Sequence, residues 1–93
     1  MIYATVHISI TNKDSLSAYR EKAGDALAKH GGAVLSAAPS PAVLEGDIPA
    51  PDMAAVLSFP DRDSALAWIN DPELADTHAL RRGAGSSAIV LVG

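Results

Sequence analysis

From Ile2 to Ile10 the chain alternates without a break: Ile2, Ala4, Val6, Ile8 and Ile10 on one side, Tyr3, Thr5, His7 and Ser9 on the other. A period of two is that of a strand, and this strand belongs to a sheet with one apolar and one mixed face. Whatever follows must cover the apolar face. Thr11–Asp14 reads as a turn with Asp14 as the N-cap of a helix. Leu16, Tyr19, Ala23, Ala26, Leu27 and His30 then recur at helical spacing. Lys29 suits the negative end of that helix dipole, and Gly31-Gly32 ends it, the first glycine in a left-handed cap.

Ala33–Ala37 reads as a second strand, and Pro39-Ser40-Pro41 bends the chain. Ala42–Glu45 is expected to form a short further strand closed by Gly46, followed by an exposed loop whose prolines forbid regular pairing. Met53–Phe59 is the next strand. Asp61 or Asp63 caps a helix through Asn70 that puts Ala65, Trp68 and Ile69 on one face. Asp71-Pro72 restarts a helix, with the cap followed by proline, and this helix runs to Arg82 and stops at Gly83. Gly85–Ser87 is expected to be a turn and Ala88–Val92 the last strand. The order β-α-β-β-α-β predicts an α+β, ferredoxin-like domain: an antiparallel sheet with both helices on one face. The other face has no helix to cover it. An uncovered face of this size is an association surface, so two sheets packed face to face, a homodimer, are expected.

Ninety-three residues make a single domain, 1–93. Aromatic residues are only 4% of the chain, so Ala, Val, Leu and Ile must build the core. A net charge of −4 with no basic run argues against nucleic-acid and anionic-membrane partners. Cysteine is absent, which removes thiolate chemistry. Met1–Val6 opens without a basic leader region, and no apolar run approaches the roughly 20 residues that cross a bilayer. A cytoplasmic protein is expected. The three histidines are isolated, and there is no HExxH, phosphate loop, dinucleotide fingerprint or Gly-x-Ser-x-Gly elbow. No metal and no cofactor is expected.

Several short motifs fall in a fixed order: Gly31-Gly32, Leu44-Glu45-Gly46, Phe59-Pro60, Ala65 three before Trp68, Asp71-Pro72-Glu73, Leu80-Arg81 and a valine-rich end at Gly93. Together they resemble the domain-of-unknown-function 1330 family over nearly the whole chain. The resemblance implies a dimeric α+β barrel with cavities between sheet and helices. The wider superfamily includes cofactor-free monooxygenases, lactone isomerases, dehalogenases and haem-handling proteins, so the fold alone leaves the activity open. The chain also departs from the family. Where relatives commonly place arginines after the glycine pair, it has Ala33 and Ala37 or Ala38; Ser58 replaces a common Glu, and Ile69 and Leu74 replace common aromatics. An anion clamp of those arginines is therefore not carried over.

Among titratable residues His7 stands out. Alternation puts it beside Tyr3 and Thr5, where a neutral imidazole could serve as a general base or be hydrogen-bonded within a dimer interface. Glu45 could pair with Arg81 or simply be solvated before its glycine, and Arg81 could touch a ligand or complement its helix dipole. Trp68 reads as core, or as a flat cavity wall. His78 reads as a half-exposed surface residue. Two functional readings follow. One is a homodimer that binds a small apolar metabolite in a cavity lined by Tyr3, His7, Ser58, Trp68 and the surroundings of Arg81. If it turns that ligand over, it is an isomerase- or monooxygenase-type enzyme without a cofactor, with His7 as base and Arg81 or Ser58 stabilising negative charge. The other is a non-catalytic dimerisation or ligand-sensing module.

Overall fold

The computed structural model describes residues 1–93. The elements run β1 (Ile2–Ile10), α1 (Lys13–Ala28), β2 (Ala33–Pro39), β3 (Met53–Phe59), α2 (Arg62–Asn70), a 3₁₀ turn (Pro72–Leu74), α3 (Ala75–Gly83) and β4 (Gly85–Val92). One four-stranded sheet has the order β2-β3-β1-β4, with every neighbouring pair antiparallel. This is the ferredoxin-like α+β arrangement expected from the sequence.

The alternation of β1 sets the two faces. Ala4, Val6 and Ile8 are buried under the helices, whereas Tyr3, His7 and Ser9 are exposed on the opposite side. Leu57 and Phe59 of β3 and Leu16, Leu27, Ala65 and Trp68 of the helices complete the core. β2 is an edge strand, exposed along its whole length, with a bulge at Leu35 where the register slips between Val34 and Ser36.

The helix boundaries follow from local chemistry, with corrections. Asn12, not Asp14, caps α1: its Oδ1 accepts from the Ser15 amide at 3.1 Å, and Asp14 sits in the first turn, where a carboxylate still suits the dipole. Gly31 does take the left-handed conformation, at φ +73°. Asp61 caps α2 by accepting from the Ser64 amide at 2.8 Å. Asp71 caps the 3₁₀ turn in the same way through Glu73.

Two expected elements are absent. Ala42–Glu45 forms no strand, because the β2–β3 hairpin closes before it. The Ser40 amide donates to the Asp52 carbonyl at 2.8 Å, so residues 41–51 form an excursion with no neighbouring strand to pair with. Gly85–Ser87 is not a turn but the start of β4, paired with β1 from Ile10↔Gly85 onward. Gly85 makes this possible: at φ +152° a Cβ there would lie 1.7 Å from the Ser9 carbonyl oxygen.

Candidate functional site

The chemistry of the helix side gathers at one buried cluster. α2 directs Trp68 onto the sheet, where its ring packs against Phe59 at 5.5 Å and meets the edge of His78 at 4.8 Å. α3 carries His78 and Arg81 one turn apart on the same face, and they are only 1% and 2% exposed. His78 is thus fully buried, not half-exposed. Its Nε2 lies 2.9 Å from the Trp68 carbonyl, which can only accept. Nε2 therefore carries the proton, and Nδ1 accepts from Arg81 Nη1 at 2.8 Å. Burial pushes the His78 pKa below its ordinary 6.5, reinforced by the charge of Arg81 and opposed by the bond to the Trp68 carbonyl. The imidazole is neutral, and both nitrogens are engaged.

Arg81 has no acid beside it. The ion pairs of the chain all converge on Asp71 and Glu73: Lys29 and His30 each lie 2.8 Å from Asp71 Oδ2, and Lys29 also reaches Glu73. The hydrogen bonds from Lys29 and His30 hold the Asp71 carboxyl far below its ordinary range. Arg81 has instead two aromatic faces, with its Cζ 5.6 Å from the Tyr19 ring centre and 5.5 Å from that of Trp68. Its Nε is buried without a partner, as is the indole Nε1 of Trp68.

Two apolar cavities lie between the helices and the sheet. The larger, about 380 Å³, opens under α1 near the β2–β3 edge, among Val6, Ile8, Leu27, Val34, Met53 and Leu57, with Tyr19 and Arg20 as its polar-tipped walls. Arg20 is held over it by Nη2 at 3.4 Å from Met53 Sδ. The smaller, about 180 Å³, lies under α2 among Ala4, Phe59, Trp68, Ile89 and Leu91. Tyr19 lines one cavity and Trp68 the other, so the guanidinium of Arg81 is one ring away from each.

Tyr3, His7 and Ser58 lie on the other side of the sheet. Tyr3 pairs with Ser58 and Val92, and His7 with Ala54 and Ala88. Shallow hollows of about 280 and 230 Å³ flank His7 on this open face. Glu45 lies exposed in the loop and makes no hydrogen bond to Arg81. The single cavity expected to join Tyr3, His7 and Ser58 with Trp68 and Arg81 is therefore not formed within the chain. Odd-numbered β1 residues point away from the helices that carry Trp68 and Arg81, with the sheet between. His78 and Tyr19 were missed as members of the site. A signal existed: Leu74, His78 and Arg81 make one helical stripe, and the other side of α3 carries Asp76, Ala79 and Arg82. Of the two stripes, the one following Leu74 is the one that faces inward.

Solved structures share the fold. A methylated form of the RPA0582 protein matches with a TM-score of 0.81 at 17% identity, covering 98% of this chain and 78% of that one. The RPA0582 protein of unknown function from Rhodopseudomonas palustris matches at 0.74 and 17% identity, covering 98% and 79%. A dimeric ferredoxin-like protein of unknown function from Jannaschia sp. CCS1 matches at 0.66 and 13% identity, covering 99% and 97%. No curated protein matches the sequence. The model of the family described as domain of unknown function DUF1330 matches residues 1–93, and the chain belongs to that family.

Proposed function

We propose that this chain is a homodimeric binding protein for a small apolar molecule, held in the cavity under α1. The observation that carries the reading is the cavity itself: about 380 Å³, within the range of small-molecule sites, and walled almost entirely by hydrocarbon. Its walls hold no carboxylate or imidazole, and both nitrogens of the nearby His78 are engaged, which favours binding over turnover. Dimerisation is supported by the open sheet face, where Tyr3, Val90 and Val92 stay 44%, 57% and 57% exposed, and by the dimeric Jannaschia neighbour. In this arrangement the exposed His7 serves association, the buried Ser58 packs within the sheet, and Trp68 and Arg81 stand on the helix side, behind Tyr19 of the cavity wall.

A thermal-shift screen with uncharged probes (cyclohexanol, indole, 1-octanol) tests the cavity, because a ligand specific for the folded state raises its melting temperature. At least one probe should raise it for the wild type and fail to do so for Ala23→Leu, which fills the cavity from α1. Absence of any shift, or equal shifts in both proteins, would refute the reading. Light scattering on a size-exclusion column should give twice the 9.5 kDa chain mass, falling to the monomer in Val90→Asp. A wild-type monomer would remove the dimer from the proposal.

A further inference from the structure

We infer that the ligand of the α1 cavity carries a carboxylate, which binds the free donors of Arg81 while its hydrocarbon body fills the cavity. The inference rests on the reading of that cavity as a ligand site.

An arginine 2% exposed keeps its charge, and a buried charge is costly unless it is paired and hydrogen-bonded. Every other close cation–acid contact in this chain is made at Asp71 or Glu73, and Arg81 has none. The two rings offset part of the cost, and so does the C-terminal end of α3, where Arg81 lies in the last turn. Neither offers an acceptor to the buried Nε. Of the guanidinium nitrogens only Nη1 is engaged, by His78 Nδ1. That leaves the Nε–Nη2 edge, a pair of parallel N–H donors whose spacing matches the two oxygens of a carboxylate.

The route to that edge is set by Tyr19. Its ring borders the cavity and packs on the guanidinium, which does not itself line the cavity, so in this proposal the half-buried Tyr19 side chain turns aside to let the carboxylate reach Arg81. His78 has a positioning role. The Trp68 carbonyl fixes its tautomer, its Nδ1 accepts from Nη1, and the guanidinium is held with its other edge free. Arg20 at the cavity wall adds positive charge on the path of an entering anion. A phosphate monoester fits poorly, since its second negative charge would be buried against a single cation.

Octanoate and 1-octanol share a hydrocarbon body and differ in the head group. Titrated into the full-length protein by calorimetry, octanoate should bind at least about tenfold more tightly than 1-octanol, the size of effect a charge-assisted hydrogen bond gives. Octanoate should also shift the emission of Trp68, the sole tryptophan, whose ring lies against Arg81; 1-octanol should not. In Arg81→Met the two probes should bind alike, and Arg81→Lys, which keeps the charge but not the fork, should recover only part of the preference. Equal affinities in the wild type, or a preference that survives in Arg81→Met, would overturn the inference while leaving the cavity as an apolar site. Failure of both probes to bind would overturn this inference, and if cyclohexanol and indole were silent as well it would overturn the cavity reading itself. The wild-type comparison and the Trp68 signal do not depend on any variant folding.

Discussion

Replacing Arg81 with methionine removes a buried charge and keeps an unbranched side chain in its place. The lost interactions are one hydrogen bond from a cation, about 1.5–3 kcal/mol, and two ring contacts of about 0.5–1 kcal/mol each. His78 Nδ1 also loses its donor, a further cost of about 1–3 kcal/mol. Against these stand the relieved desolvation of the guanidinium, several kcal/mol for an ion taken out of water, and the removal of an unpartnered buried N–H, about 1–3 kcal/mol. The two sides nearly cancel. Arg81→Met should therefore unfold in urea within about 1–2 kcal/mol of the wild type, with an unchanged slope. Trp68→Ala provides the scale, since emptying the site of a buried tryptophan costs about 3–5 kcal/mol. A loss in Arg81→Met as large as that of Trp68→Ala would mean that the fold itself satisfies the charge, and the argument for an anionic ligand would fail with it.

Asp71→Asn should lower the melting temperature at pH 7 by breaking the junction of α1 with the 3₁₀ turn. Because the folded-state pKa of Asp71 lies below its ordinary 3.8, its contribution is full above that value and fades as the pH falls through the depressed pKa. Wild-type and variant melting curves should thus converge in acid; a constant gap would contradict the ion-pair origin. His78, with its pKa lowered from 6.5, leaves the unfolded chain binding the extra proton first, so its contribution to stability is lost as the pH drops below 6.5. Long-range ¹H–¹⁵N spectra should show it neutral and protonated on Nε2 at pH 7.5, and an imidazolium there would refute the tautomer assignment. Gly32→Ala should cost about 1–3 kcal/mol, because its Cβ would lie 2.8 Å from Phe59 Cε1. Gly24→Ala, mid-helix with open space around the new methyl, should stabilise by about 0.4–1 kcal/mol in the same thermal melts.

The parts of this fold that were legible are those written in local periodicity. The alternation of β1 announced both faces of the sheet, and the Asp61 and Asp71 caps announced the ends of α2 and of the broken helix after it. Ala42–Glu45 misled because a short apolar run has strand propensity wherever it stands, while pairing needs a neighbour that the closed hairpin does not supply. Gly85–Ser87 misled for the opposite reason: glycine and serine suggest a turn, but here the glycine lets two backbones approach closely. His78 was hidden because its partner is a backbone carbonyl ten residues away, and no side-chain pattern records that. Arg81 was visible as a candidate, but its want of a counter-charge is a tertiary property. It depends on which acids the fold draws to Lys29 and His30 instead.

The sheet that divides the molecule is only one residue thick. Ala4, Val6 and Ile8 share a backbone with Tyr3, Thr5 and His7, and β1 is an interior strand bonded on both sides. A guest that lifted β1 from the helix side would move the opposite surface with it. In a face-to-face dimer each protomer's filled or empty state would then be felt across the junction, and guest affinity and subunit affinity would alter one another by equal factors. Such a membrane-like partition would couple the two without a hinge or a moving loop.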